Sequence, residues 1–188
     1  MDLAEATIGV RLARRAIETA VNSREHIKPP DDLPAVFDEF GGVFVTLHSD
    51  GLRGCVGYPY PSKTVKEALI DAAISAALHD YRFPPVTAEE LARITIEITL
   101  LAEPQKISGP ADIVVGKHGI IVRKGIYQGL LLPQVAVECN WTQHQFLEQT
   151  FVKAGLTSQE DGAEIFVFEG QIFLELRPGG EVKEGSLE

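Results

Sequence analysis

Three observations predict an α+β fold with mainly antiparallel sheets, built from hairpins and about three long helices. Short β-branched and aromatic runs come in pairs around turn residues, which is typical of hairpins. Single segments with apolar residues at helical spacing separate these pairs. One run alternates between apolar and polar residues, as a half-exposed strand does. Hairpins that alternate with single helices describe an α+β fold.

The first half of the chain contains two predicted helices and three predicted strands. Asp2 can cap the first helix, and the turn residues Ser49-Asp50-Gly51 join the first two strands. The second helix is rich in alanine, which suggests close packing on a sheet. Thr87 and Glu90 form a capping-box pattern for a further short helix over residues 88–92. The predicted elements are helices over residues 3–21 and 64–79 and strands over residues 43–48, 52–58 and 93–102.

The second half repeats this pattern in outline. Lys124-Gly125 and Glu169-Gly170 supply the turn chemistry for two more hairpins. Thr142 with Gln145 gives a capping box for the third long helix, which Gly155 closes. The polar tail from residue 178 is expected to fray. The predicted elements are strands over residues 118–122, 126–132, 165–168 and 172–176, and a helix from residue 142 to residue 154.

Composition disfavours several classes of function. The 188 residues carry 17 lysines and arginines against 27 aspartates and glutamates, which gives a net charge of −10 at pH 7. An acidic chain is poorly suited to nucleic acids and to anionic membranes, which attract basic proteins. Two cysteines, without a signal peptide or an apolar run of membrane-spanning length, predict a reducing, cytoplasmic location. The closing Leu187-Glu188 resembles a cloning scar, which leaves residues 1–186 as the predicted single domain.

The most informative motif is Leu52-Arg53-Gly54-Cys55-Val56-Gly57, in the second predicted strand. Arg53 and Cys55 are two residues apart, so a regular strand would direct both side chains to one face. A cation beside a thiol lowers the pKa of the thiol and stabilises the nucleophilic thiolate. The motif therefore has two interpretations. Cys55 is either a nucleophile activated by Arg53 or a small buried hydrophobe beside a surface arginine.

A cysteine nucleophile needs a general base, and histidine is the most frequent one. The candidates are His48 in the same hairpin, His79 after the alanine-rich helix, and His118 at the start of a strand. His118 is the preferred candidate, although a lone histidine is more often structural. The metal-ligand residue types present lack a recognised ligand spacing, so neither a metal nor a cofactor is predicted.

Three further polar residues are candidates for binding. Asp80 and Arg82 share a corner after the alanine-rich helix, where they either contact a ligand or form a salt bridge that pins the helix end. Gln134 follows a proline at a strand end, where its amide either reaches a ligand or satisfies backbone groups. The second cysteine, Cys139, is predicted to be inert packing.

Several separated segments together resemble one family. They are Leu52-Arg53-Gly54-Cys55-Val56-Gly57, Asp80-Tyr81-Arg82-Phe83-Pro84, His118-Gly119, Gly129-Leu130-Leu131-Leu132-Pro133-Gln134 and Trp141. On these motifs the chain resembles the prokaryotic-type members of the AMMECR family, named for the Alport syndrome, midface hypoplasia and elliptocytosis chromosomal region. The likeness spans residues 4–176. Val56 stands where the family usually has isoleucine, and Phe151 where it usually has a cysteine.

The resemblance implies a fold in two unequal lobes, which we expect residues 1–186 to form as one domain. It does not specify a reaction. Many prokaryotic relatives are encoded beside, or fused to, a Memo-like protein and a radical-SAM protein. A partner of that kind is therefore expected.

Two functions follow as hypotheses. The favoured one is a module that binds a small molecule or a protein partner around the Leu-Arg-Gly-Cys motif. The side chains assigned to this binding are Arg53, Asp80, Arg82 and Gln134. The alternative is an enzyme with Cys55 as nucleophile and His118 as tentative base. We expect the site residues to converge on a cleft between the lobes, because separate burial of each would require separate compensation.

Overall fold

The computed structural model describes residues 1–157 and 162–185, which form two compact units. The first unit combines Met1–Leu100 with Gln171–Gly185. The described part of the second unit comes from Leu101–Gly170. The cloning scar expected at residues 187–188 lies outside the described residues.

Four α-helices and eight strands occur within the described residues. The helices are α1 (Leu3–Ser23), α2 (Val65–Leu78), α3 (Pro133–Glu138) and α4 (Gln143–Lys153). The strands are β1 (Gly42–Ser49), β2 (Gly51–Tyr58), β3 (Thr95–Leu101), β4 (Gln105–Ile107), β5 (His118–Lys124), β6 (Tyr127–Leu131), β7 (Glu164–Glu175) and β8 (Val182–Gly185). None of these helices has the length and apolar content needed to cross a bilayer. The mixture of helices with antiparallel strand pairs confirms the predicted α+β fold.

In the first unit the strand order is β2-β1-β3-β7, and β8 pairs with β7. Helix α2 packs against β1 and β2, and α1 packs against α2 and β8. One hydrophobic core joins these helices to the inner faces of the strands, including Leu47 and Ile98. Because alternate residues of a strand point to opposite faces, Thr46, His48 and Glu97 lie on the other face of the sheet.

In the second unit the strand order is β6-β5-β7-β4, with antiparallel pairing throughout. Helix α4 packs against β5 and β6, and α3 packs against β5. The core of this unit includes Ile120, Phe146 and Phe151. Phe151, at the position where the family usually has a cysteine, is therefore a packing residue.

Two of the predicted helix boundaries follow from capping residues. The side chain of Asp2 accepts a hydrogen bond from the Glu5 N–H at the start of α1. Thr142 and Gln145 form the predicted capping box at the start of α4. Just beyond α4, Gly155 has a φ of +73°, a left-handed conformation that suits glycine.

The third predicted hairpin is wrong. Glu169-Gly170 does not turn but lies inside β7, a continuous strand of 12 residues in which Glu169 pairs with His118. Hairpin signals are local, whereas the pairing of β7 with β5, which is distant in sequence, overrides them. The chain reverses later, where the Leu176 N–H donates to the Glu181 carbonyl, and β8 then pairs with β7. The tail is therefore ordered through Gly185.

Two smaller elements also differ from the prediction. The short helix expected over residues 88–92 is a series of turns. Helix α3 was not predicted, although Pro133 occupies its first turn, where proline commonly starts a helix.

Candidate functional site

The Leu-Arg-Gly-Cys motif lies on β2, the edge strand of the first unit's sheet, where a β-bulge occurs at Arg53. Leu47 of β1 faces Gly54, whereas the next residue, His48, faces Leu52. Arg53 therefore has no partner across the ladder. A bulge of this kind redirects a side chain relative to a regular strand. The regular alternation that predicted a shared face for the arginine and the cysteine is thus broken between them.

Gly54 allows β2 to approach α2 closely. A β-carbon at this position would stand 2.2 Å from the carbonyl oxygen of Ala76. No side chain fits at that distance from a backbone atom, so the contact between strand and helix requires glycine.

Asp80 and Arg82 bind the backbone of Cys55 on the open edge of the sheet. The Cys55 N–H donates to Asp80 Oδ2 at 2.8 Å, and the Cys55 carbonyl accepts from Arg82 Nη2 at 3.2 Å. Arg82 also donates to the Asp80 carboxylate through Nε at 2.9 Å and Nη2 at 2.6 Å. These bonds from Arg82 lower the pKa of the buried Asp80 carboxyl to about 2. The ion pair therefore fixes both the corner after α2 and the backbone that carries the thiol.

The Cys55 thiol is partly buried, and its environment favours the neutral form. Burial is the largest influence and raises the pKa of Cys55 above its ordinary value. The Thr46 hydroxyl donates to Cys55 Sγ at 3.3 Å, and the charge of Arg82 also favours the thiolate, but neither offsets burial. The prediction that Arg53 lowers the pKa of this thiol is wrong, because the pKa is raised and Arg53 is bound to another residue.

That residue is Glu90. Arg53 donates to its carboxylate in a bidentate arrangement, through Nε at 2.7 Å and Nη2 at 3.1 Å. The Arg53 guanidinium lowers the pKa of Glu90 to about 2. The ring centre of Phe83 lies 6.0 Å from the guanidinium carbon of Arg53 and 5.5 Å from that of Arg82. Arg53 Nη1 is buried and has no hydrogen-bond partner among the described residues.

The three candidate histidines have different surroundings. His48 Nε2 lies 3.3 Å from the Glu97 carboxylate on the outer face of the sheet. His79 forms the C-cap of α2. His118 Nδ1 accepts a hydrogen bond from the Val114 N–H at 3.1 Å, which stabilises the turn before β5. The His48 and His118 rings are thus engaged in local contacts, whereas His79 caps α2 through its backbone N–H.

Two of the predicted site residues, His118 and Gln134, belong to the second unit. Gln134 lies in the first turn of α3, and its Oε1 is buried without a hydrogen-bond partner among the described residues. The convergence of these two residues with Arg53, Cys55 and Arg82 stays a prediction.

Cys139 is exposed, which corrects the prediction that it is packed. It caps the C-terminus of the short helix α3, after which Asn140 turns the chain with a φ of +52°. Cys139 and Cys55 are both free thiols. Over the described ranges, no group of three or more histidine, cysteine, aspartate or glutamate side chains is arranged to hold a metal ion.

Sequence reasoning missed Thr46 and Glu90. A regular ladder counted from the turn would pair Thr46 with Gly54, and only the bulge shifts Thr46 opposite Cys55. The sequence predicts Glu90 only as part of a capping box with Thr87. Glu90 does accept a hydrogen bond from the Thr87 N–H at 2.9 Å. Its ion pair with an arginine 37 residues earlier leaves no local signal in the sequence.

Comparisons with known proteins agree over nearly the whole chain. A family described as AMMECR1 matches residues 10–173. A protein of Methanosarcina acetivorans is 50% identical over 191 aligned positions, which cover 96% of each chain. A protein of Pyrococcus furiosus is 45% identical, over 95% of this chain and 91% of its own. The crystal structure of an uncharacterised protein from Pyrococcus horikoshii is 42% identical, with a TM-score of 0.94 over 99% of this chain and 98% of that one. The chain belongs to the AMMECR1 family.

Proposed function

We propose that the chain is a binding module whose site lies around the Leu-Arg-Gly-Cys motif, with Arg53 as the group that meets the ligand or partner. The observation that carries this proposal is Arg53 Nη1, a buried donor without a partner among the described residues. A buried donor left unpaired destabilises a folded protein by about 1–3 kcal/mol. A carboxylate, phosphate or carbonyl oxygen that displaces the side chains covering this nitrogen would pair with it and recover that free energy.

The surroundings of Arg53 support binding rather than nucleophilic catalysis. The bidentate bond to Glu90 and the ring of Phe83 hold the guanidinium in one orientation. Groups that are fixed before binding lose little entropy when a ligand arrives. The thiol of Cys55, in contrast, has a raised pKa, which disfavours the thiolate that a nucleophile needs.

A protein partner is one occupant that this surface suits. Tyr81 exposes 96% of its surface directly beside Arg82, and tyrosine and arginine are enriched at protein interfaces. The family resemblance suggests a Memo-like or a radical-SAM protein as that partner. A small molecule with an acceptor oxygen is the other occupant within this proposal.

The site can be tested with inorganic phosphate as a probe in NMR titrations of the full chain. We expect saturable shifts of the Arg53 Nε–H signal and of the Gly54 and Cys55 amide signals. Arg53→Lys should weaken this binding at least fivefold, because an ammonium lacks the planar fork of donors. The matched control is Arg15→Lys, on an exposed face of α1, which should leave the affinity unchanged.

Two results would contradict the proposal. One is a uniform, non-saturating shift of all arginine signals, which would indicate general screening of charge by the added salt. The other is an affinity that Arg53→Lys and Arg15→Lys change equally.

A further inference from the structure

A cavity lies in the first unit, between residues 26–29 and the start of α2. Its volume is about 330 Å³, at the lower end of the range of roughly 300–1,000 Å³ found for small-molecule sites. Ile27, Pro29 and Ile70 supply an apolar part of its lining. None of the residues that surround Cys55 and Arg53 lines it, so it is independent of the proposed function.

The charged side of this cavity is organised around Asp71 of α2. The carboxylate of Asp71 lies 2.8 Å from His26 Nε2, and it also forms an ion pair with Lys63. The ammonium group of Lys63 lies 4.5 Å from the ring centre of Tyr58. Asp71 thus connects two segments. Lys63 lies in the segment before α2, and His26 lies in the loop after α1.

Both ring nitrogens of His26 face acceptor oxygens. Its Nδ1 lies 3.0 Å from the Ile27 carbonyl oxygen, and its Nε2 faces the Asp71 carboxylate. Both partners are acceptors only, so both ring nitrogens must carry hydrogen for both bonds to form. Only the imidazolium form satisfies this requirement, whereas a neutral ring loses one of the two bonds.

With His26 protonated, the cavity carries an excess of positive charge within an acidic chain. Lys28 has no ion pair among the described residues, and the Glu67 carboxylate is bound to the N–H and hydroxyl of Thr64. Asp71 is shared between two cations. The charged groups lining the cavity are the cations His26, Lys28 and Lys63 and the carboxylates Glu67 and Asp71. One positive charge is therefore left without a counter-charge.

We propose that this cavity binds a small organic carboxylate, with its charge against Lys28 and His26 and its apolar body on Ile27, Pro29 and Ile70. A single carboxylate matches the one uncompensated positive charge, and the apolar lining favours a hydrocarbon body over a bare ion. A neutral side chain at position 26 would remove that excess charge and should therefore weaken binding.

Benzoate is a suitable probe, and NMR titration of the full chain reports the binding site directly. We expect saturable amide shifts at residues 26–29 and 63–71, and weaker binding of acetate, which lacks an apolar body. Lys28→Gln should weaken benzoate binding about two- to fivefold, the effect of one exposed ion pair. The matched control is Lys183→Gln, which removes the same charge from an exposed position on β8.

The variant His26→Gln tests the role of the charge at His26. Benzoate binding should be severalfold weaker in His26→Gln than in the wild type, because the amide keeps a donor for Asp71 but carries no positive charge.

The proposal is overturned if benzoate shifts are scattered over the surface or do not saturate. It is also overturned if Lys28→Gln and Lys183→Gln bind equally well, or if His26→Gln binds benzoate as tightly as the wild type. Shifts at Arg53 and Cys55 alone would place the anion site at the motif and not in this cavity.

Discussion

Replacing Asp80 with asparagine should remove a pH-dependent part of the protein's stability. The pKa of Asp80 is about 2 in the folded chain, against an ordinary value of 3.8. Each pKa unit corresponds to 1.36 kcal/mol, so this carboxylate contributes about 2 kcal/mol to the free energy of unfolding at neutral pH. Because folding lowers the pKa, the contribution is present above the unfolded pKa and is lost as the pH falls through the folded one. Roughly 1 kcal/mol of it disappears between pH 5 and pH 3.

Urea denaturation at pH 5 and pH 3 measures this difference. The free energy of unfolding of the wild type should fall by about 1 kcal/mol more than that of Asp80→Asn. Glu90 and the other carboxylates titrate in both proteins, so their contributions cancel in the comparison. The matched control is Asp32→Asn at an exposed position, which should retain the wild-type dependence on pH. Equal losses for Asp80→Asn and the wild type would refute the inference that Arg82 holds this carboxylate in its charged form.

Two further predictions concern strand β2. Gly54→Ala should lower the free energy of unfolding by about 1–3 kcal/mol, because its β-carbon would stand 2.2 Å from the Ala76 carbonyl. Gly109→Ala, with no atom within 4 Å of the new β-carbon, should change it by less than about 0.5 kcal/mol in the same urea assay. Iodoacetamide at neutral pH should modify Cys139 before Cys55, because Cys139 is exposed and burial raises the pKa of Cys55. Faster labelling of Cys55, measured by peptide mass spectrometry, would support the nucleophile hypothesis instead.

The sequence predicted elements whose boundaries are encoded locally. Asp2 starts α1, and Thr142 and Gly155 delimit α4, because each residue acts on backbone groups within one helical turn. The hairpin turn predicted at Glu169-Gly170 is wrong for the opposite reason. Its backbone is paired with strands from distant parts of the chain, and that pairing decides its conformation.

The motif of the candidate site was predictable, but its geometry was not. Arg53, Asp80 and Arg82 stand out in sequence as polar groups within apolar surroundings. The partner of Arg53, however, is Glu90, and the bulge at Arg53 determines which residue faces Cys55. The direction of the pKa shift of Cys55 depends on burial, which follows from packing and cannot be read from neighbouring residues.

The first unit is built from two segments that are far apart in the chain, and this affects how it folds during synthesis. A ribosome delivers Met1–Leu100 first, but the sheet of that unit is completed only by Gln171–Gly185. Those late residues include Phe173 of its core and Glu175, which binds Arg14. The first unit therefore cannot complete its sheet before the residues of the second unit have been synthesised. Until β7 is synthesised, the edge of β3 that pairs with it is unpaired. Unpaired strand edges promote aggregation, and chaperones shield such exposed segments.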